Sequence, residues 1–326
     1  VKIMYNTIKI EKGLYNLSGK TFSQALEAMD PSENYTDEAL RKMDAFERQL
    51  KRFDIKVNGV NADKVDKFFQ STESAALFPE FVRRAVEAGL NSGCVNKITA
   101  AVSVSDGVDA RGIVLSDGTE EYAGSAVYGG ELPESSISLT SSAIALKKFG
   151  RVVNAPYEAV RQQRIDVFAV ALRAVGAKLA KAVEKAAVTA LTTGVTAASM
   201  SGSTFNYTEL AAFWGSFDKA EMNTIVCSPA TAAKILAFDE MNKAVLPAAG
   251  CGTVTPFGAE IVASPAVDDK TLIGLDRNSA LEMIRGGDVI VEVDKLISKQ
   301  SDAAAVAVNV GFSAIDSDAV KVLTIA

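Results

Sequence analysis

The stretch Pro156–Thr193, PYEAVRQQRIDVFAVALRAVGAKLAKAVEKAAVTALTT, decides how the rest of this chain is read. Its apolar residues fall at Val160, Ile165, Phe168, Leu172, Val175, Leu179, Val183, Ala186 and Ala190. Steps of three, four or five put these on one helical stripe, with Arg161, Arg173, Lys178, Lys181 and Lys185 largely off it. Pro156 suits a first helical position, Glu158 the positive N-terminal end, and Gly194 the residue just past the C-terminus. At 1.5 Å per residue the helix would be roughly 55 Å long, against about 30 Å for a small domain. Such a helix is a beam for other parts. Length alone fits one arm of a coiled coil equally well, so the flanks decide.

Upstream, residues 1–58 are charged and broken by turns. Leu40, Met43, Phe46, Leu50 and Phe53 mark one face of an amphipathic helix within TDEALRKMDAFERQLKRFDI, and Asn58-Gly59 ends it. A second helical stretch carries Val65, Phe68 and Phe69, then Ala75 to Leu77. Phe78-Pro79 reads as a break, and FVRRAVEAGL resumes with Phe81, Val82, Ala85 and Val86. Short helices with separate apolar faces predict an arm that lies on another body and has no core of its own.

From Gly107 to Gly150 the character changes. Ile113-Val114-Leu115 runs into Asp117-Gly118, a hairpin turn signal. The Gly- and Ser-rich EEYAGSAVYGGELPESSIS follows, then a partly alternating stretch with Ile137, Leu139, Ile144 and Leu146. So long a stretch with so few core-forming residues is uncommon within a compact domain. Such a stretch is either disordered or an extended hairpin held by a partner, and the flanking strand patterns favour the hairpin.

Downstream, the pattern is α/β. Thr208–Ala220 predicts a helix, Asn223–Cys227 a short buried strand, and Ser228-Pro229 the cap and first residue of a helix with Ala232, Ile235, Leu236 and Phe238. Leu246–Gly258 reads as loop. Strands are expected at Glu260–Ala263, Thr271–Leu275, Val289–Val293 and along the Ala/Val alternation of Ala303–Val310. No internal repeat is present.

Composition narrows the function. The chain is 48% hydrophobic but only 7% aromatic, so its apolar surface is built from Ala, Val, Leu and Ile. A net charge of −6 argues against a nucleic-acid clamp, which needs a basic face. No apolar run approaches a membrane span, and the first residues lack a signal peptide's basic-then-apolar layout. Cys94, Cys227 and Cys251 are scattered, which indicates neither a disulfide framework nor a metal cluster and fits folding in a reducing cytosol. Histidine is absent, removing Ser-His-Asp and Cys-His catalysis and the usual zinc sites.

Motifs that imitate chemistry have simpler readings. GLYNLSGKT places five residues between Gly13 and Gly19 where a phosphate loop needs four, so Gly19-Lys20-Thr21 reads as a turn. Asp276 ends a strand pattern without a partner loop. Asp316 and Asp318, like Asp268-Asp269, lack the further ligands of a calcium loop. Glu120-Glu121 and Lys147-Lys148 read as solvated charges, with intersubunit ion pairs as the other reading. Trp214, beside Phe213 and Phe217, reads as core. No catalytic, cofactor-binding or metal-binding residue is assigned.

The order of parts (arm, extended loop, long helix, α/β lobe, returning strand) resembles the major capsid protein of tailed bacteriophages and prophages, which share the Hong-Kong-ninety-seven fold. SAALFPEFVRRAVEAG (Ser74–Gly89) resembles the family's N-terminal arm, and LKKFGRVVNAPYEAVRQQRID (Leu146–Asp166) the join of extended loop and spine helix. FGAEIVASPAV and LIGLDRNSALEMI resemble strands of the axial lobe. VIVEVDKLISKQSDAAAVAVNVGF resembles the peripheral strand that returns along the spine.

The resemblance implies an α+β fold divided as follows. Residues 1–58 are an N-terminal extension, 59–106 the arm and start of the peripheral domain, and 107–150 the extended β-hairpin loop. The peripheral domain with its spine helix takes 151–200 and the axial domain 201–284. A peripheral return strand takes 285–312 and an axial C-terminal segment 313–326. It also implies a structural protein, not an enzyme, that forms hexamers and pentamers of an icosahedral head around double-stranded DNA. Assembly takes place in the bacterial host cytoplasm and the product is the virion capsid. Implied partners are a portal, a scaffold or maturation protease, and in some relatives a decoration protein, with no sequence-specific DNA contact and no membrane. Residues 1–58 are short for a segment cleaved after assembly and are expected to stay in the shell. Relatives that crosslink pair a loop Lys with an Asn of another subunit. Lys147 and Lys148 stand in that region, but no flanking motif marks a partner and the chemistry is not carried over. An encapsulin-like shell, which shares the fold and encloses an enzyme, is the second reading. A cytosolic α/β enzyme using Lys or carboxylate chemistry is the third.

Overall fold

The helix expected over Pro156–Thr193 forms in two pieces. In the computed structural model, which describes residues 8–17, 20–105, 107, 109–117, 135–243, 253–296, 298 and 300–325, a short helix spans Tyr157–Gln162 and a 28-residue helix spans Ile165–Thr192. Gln163 between them is extended (ψ 150°). The backbone there is taken up by residues 63–65. Arg164 and Lys64 form an antiparallel bridge, the Val65 N–H donates to the Gln163 carbonyl, and the Ile165 N–H donates to the Asp63 carbonyl. Pairing with a distant segment leaves no trace in a periodicity that runs through the break. The long helix is therefore about 42 Å, not 55 Å. Pro156 closes the strand Lys147–Pro156 and so precedes the helix instead of opening it. Gly194 has the left-handed φ of +83° expected just past a helix end.

The chain divides into two compact units. The first comprises Val1–Ser92, Gly150–Leu179 and Asp288–Val308, and the second Gly93–Phe149, Ala180–Gly287 and Asn309–Ala326.

In the first unit the expectation of an arm without its own core is overturned. The helices Phe22–Met29, Ala45–Arg52 and Phe78–Leu90 bury Phe22, Leu26, Phe46, Leu50, Phe78, Phe81 and Val82 in one cluster with Val65, Phe68, Ile165, Leu172 and Leu179. None of these helices is long enough to hold a core by itself, and only the turns between them close the faces together. The amphipathic stretch 36–55 is two helices, Glu38–Arg41 and Ala45–Arg52, and Asp44 caps the second. Asp44 accepts from the Glu47 N–H (2.8 Å) while Glu47 accepts from the Asp44 N–H (3.3 Å), a capping box spelled D-x-x-E. The break expected at Phe78-Pro79 is present: the helix Thr72–Ala76 ends before Leu77, and Pro79 stands in the first turn of the next helix, Phe78–Leu90.

Two buried ionic hubs fasten this unit. Arg48, fully buried, donates to Asp30 (3.1 Å), Glu27 (3.2 Å) and Ser32 (2.9 Å), and also to the Met43 and Asp30 carbonyls. Glu80, also fully buried, accepts from Ser23 (2.5 Å), Arg83 (2.8 Å) and Arg84 (2.8 Å), and Arg84 reaches on to Asp44 (2.6 Å). Burial pushes the Glu80 carboxyl up, but the hydrogen bonds from Arg83, Arg84 and Ser23 outweigh it and hold the group below its ordinary 4.5.

Helix Phe78–Leu90 meets the long helix at two glycines. A Cβ at Gly89 would lie 2.1 Å from the Arg173 carbonyl oxygen, and one at Gly176 would lie 2.1 Å from that of Val86. Only hydrogen at both positions lets the backbones come this close.

In the second unit five strands lie in the order Ala197–Ser199, Val320–Thr324, Thr271–Leu275, Thr224–Cys227, Glu260–Ala263. The outer pairings are parallel and the inner two antiparallel. Alternate side chains enter two different cores. Val226, Ile273 and Val322 pack with Ala187 and Leu191 of the long helix, while Ile225, Cys227, Leu272 and Leu323 pack with Phe213 and Ile235. Both sheet faces are covered, so these strands read as continuous apolar runs without alternation. Ser228 caps the helix Pro229–Leu236 as expected, accepting from the Thr231 N–H (3.1 Å). The return strand is longer than expected, Ser301–Ala314. It pairs with Ile290–Leu296 through Ser301–Ala307 and with Leu281–Arg285 through Val310–Ala314.

Two predictions follow from these contacts. Gly176→Ala should destabilise the protein by about 2 kcal/mol in urea unfolding, overpacking outweighing the better helix propensity of Ala. The depressed Glu80 pKa means that its contribution is present above pH 4.5 and is lost as pH falls through the lower folded value. Glu80→Gln should therefore cost about 2 kcal/mol at neutral pH, with the gap to wild type narrowing below pH 4.5. A gap independent of pH would contradict the charged role of Glu80.

Candidate functional site

The titratable groups that invited a chemical reading are committed to structure. Asp276 accepts from the Asn223 side-chain amide (2.6 Å) and the Asn278 N–H (3.0 Å), closing a turn. Asp316 accepts from the Asp318 N–H (2.9 Å), and Asp318 pairs with Lys219 (3.0 Å). Thr21 caps the helix Phe22–Met29, while Gly19 lies outside the described residues. Cys94 and Cys227 are free thiols. Burial, aided at Cys94 by a hydrogen bond to Glu184, pushes each up to about 12, so neither is a thiolate near neutral pH. A solvent-open groove lined by Ser23, Glu27, Ser32 and Asp44 is walled by groups already bound, since Glu27 accepts from Arg48 and the Ala45 N–H (2.9 Å). Among the described residues no three metal-ligating side chains converge.

What stands out instead is uncovered apolar surface. Ile113–Asp117 and Ser135–Leu139 pair antiparallel as a two-stranded ribbon, with Ile113 opposite Leu139 and Leu115 opposite Ile137. Residues two apart on a strand, and residues directly opposite across it, share a face. The four side chains therefore form one apolar square, exposed by 47%, 62%, 37% and 73% in that order. Two strands alone are marginally stable in water, and an apolar face of this kind marks a contact surface.

The ribbon is fixed at its base. The Leu115 N–H donates to the Ile315 carbonyl (3.1 Å) and the Thr140 N–H to that of Gly112 (2.9 Å). A Cβ at Gly112 would stand 2.2 Å from the Ser313 Oγ and 2.5 Å from its Cβ, so the base of the ribbon lies against the long strand at a point where any side chain would displace Ser313. Asp109–Ala110 pairs with Ile144–Ala145 beside it. The expected turn at Asp117-Gly118 and the pair Glu120-Glu121 lie outside the described residues. Lys147 and Lys148 are exposed.

Two further apolar sites were missed in the sequence. Val167 and Val170 stand 54% and 59% exposed, one turn apart on the long helix. Trp214, expected in the core, is 43% exposed and stacks on Phe257, while its neighbour Phe213 takes the buried position. Adjacent residues of a helix cannot both face inward, and the chain alone does not say which one wins.

The profile of a family described as phage capsid protein matches residues 139–323, more than half of the chain. The chain belongs to the phage capsid protein family. It is a structural, shell-forming capsid subunit with the tailed-phage capsid fold: N-terminal arm, extended β-hairpin loop, spine helix with peripheral sheet, and α/β axial domain. Among solved structures, the virus-like particle of Pyrococcus furiosus is 15% identical, with a TM-score of 0.54 over 75% of this chain and 98% of that one. The capsid of an empty GTA particle is 15% identical (TM-score 0.54, 72% of this chain and 90% of that one). The SrpI encapsulin complex of Synechococcus elongatus is 13% identical (TM-score 0.51, 71% and 89%). These likenesses concern the fold, which phage-type and encapsulin shells share. No curated protein matches the chain by sequence.

Ile137→Glu with Leu139→Glu should leave the unfolding free energy within about 0.5 kcal/mol of wild type, as surface changes usually do. Binding of a hydrophobic dye by the free subunit should fall. A large loss of stability would show that the square is covered within the subunit.

Proposed function

We propose that this capsid protein is the major subunit of a tailed-phage or prophage head, self-assembling into hexamers and pentamers of an icosahedral shell around double-stranded DNA. The observation that carries the proposal is the ribbon's uncovered apolar square in a chain of this family. A neighbouring copy of the chain is the natural cover. Burying the four side chains contributes roughly 4 kcal/mol, weak enough to be reversed singly and strong when repeated around a ring, since each docked contact makes the next effectively intramolecular. Assembly errors are thus corrected before the shell locks.

In this reading residues 1–58 form an extension retained in the shell. Removing them would strip Phe22, Leu26, Phe46 and Leu50 from the first core and take Ser23 and Asp44 away from Glu80 and Arg84. The other parts keep the divisions implied by the resemblance: arm 59–106, extended loop 107–150, peripheral domain 151–200 with its return strand 285–312, and axial domain 201–284 with 313–326. A portal and a scaffold or maturation protease are the partners, and assembly takes place in the host cytoplasm.

An encapsulin-like compartment is the second reading, favoured by the fold shared with the SrpI encapsulin. The N-terminal extension weighs toward the phage head. Co-purification of a single protein cargo would reverse that.

Negative-stain electron microscopy and sedimentation of the protein expressed alone test the proposal. Closed shells or rings of five and six are expected from wild type. Ile137→Glu with Leu139→Glu, or deletion of 120–135, should give soluble subunits without closed shells. Normal shells from either variant would remove the ribbon from the mechanism.

A further inference from the structure

The exposed side of the long helix changes character along its length. Near its start it presents Val167, Val170, Ala171 and Ala174, and farther on Lys178, Lys181 and Lys185. With 3.6 residues per turn the three lysines fall within about 60° of one another and span about 10 Å of the axis. None of them meets a carboxylate among the described residues.

Two ordinary explanations fail. Helices that carry lysine for solubility interleave it with glutamate four residues away. The acidic residues of this helix are Asp166 and Glu184 alone; Asp166 is paired with Arg164 (2.7 Å) and Glu184 is buried at 4% exposure. Cations that complement the helix dipole belong in the last turn, and the last turn of this helix has none. In a chain with 40 acidic and 34 basic residues, one helix face with three cations and no anion is a distinct surface.

We infer that Lys178, Lys181 and Lys185 form a phosphate-facing surface that touches the backbone of the enclosed double-stranded DNA without reading its bases. This deepens the reading of a shell around DNA and rests on it. DNA presents about one negative charge per 1.7 Å of axis, so three cations over about 10 Å find phosphates in any register. Lysines are point charges on flexible stems, suited to phosphates, and the face lacks the Arg, Asn or Gln forks that read base edges. Three such contacts give a salt slope of about −2.7, or about a 40-fold loss of affinity between 50 and 200 mM salt. A contact so weak per subunit lets DNA slide as the shell fills.

The test is fluorescence anisotropy of unassembled full-length subunits, separated from any shells by sedimentation, with a short random-sequence duplex at those two salt concentrations, alongside electron microscopy of the starting preparations. The variant Lys178→Gln/Lys181→Gln/Lys185→Gln should bind at least 10-fold more weakly at 50 mM, with a slope flatter by about 2 to 3. The charge-matched control Lys12→Gln/Lys20→Gln/Lys51→Gln should bind like wild type. Equal binding by the two triple variants overturns the inference and, if wild type forms shells, leaves the shell reading standing. Loss of shells from the helix variant with DNA binding unchanged also overturns it, since the lysines then face another copy. Loss of DNA binding by the helix variant alone, in a protein that never makes shells, upholds the lysine surface and counts against the shell.

Discussion

One side of the helix Ile165–Thr192 is buried along its length, and the fold hangs on that burial. Ile165, Leu172 and Leu179 belong to the core of the first unit, Ala187, Val188 and Leu191 to a core of the second. Its partner helix Phe78–Leu90 comes close enough to share the first core only because Gly89 and Gly176 remove the Cβ atoms that would strike backbone oxygens. Close-packed interiors respond to single methyl groups, so these two positions govern how the N-terminal segments are held.

The same burial leaves an opposite side that the subunit does not use. Valines, alanines and lysines there, together with the apolar square of the ribbon, form surface that meets no partner among the described residues. In an enzyme the groups held out of their lowest-energy surroundings are usually catalytic side chains in a cleft. In this capsid protein buried polar groups such as Arg48 and Glu80 are hydrogen-bonded within the subunit, while apolar residues of the ribbon and the long helix stay exposed. Function is spread over surfaces, with one subunit's stability separated from the contacts that build a shell.

Much of this was legible in the chain. Strong punctuation located Gly194, the Ser228-Pro229 cap and the strands Glu260–Ala263 and Thr271–Leu275. The paired strands on either side of 118–134 follow from the apolar runs Ile113–Leu115 and Ile137–Leu139. Signals were also misread. The Asp44–Glu47 capping box was present but was overridden by an apolar stripe that continued through it.

The sequence by itself determined the element types, the long helix and the family, because periodicity, caps and local blocks are properties of neighbouring residues. Only the tertiary structure decided that the N-terminal helices share a core, that the long helix breaks at Gln163 and that Phe213, not Trp214, faces inward. It also decided which apolar residues stay uncovered. Each of these depends on residues far apart in the chain, such as Asp63 with Ile165 or Ser23 with Glu80. A short-range pattern shows what a segment can bury. What it does bury depends on the segments that reach it.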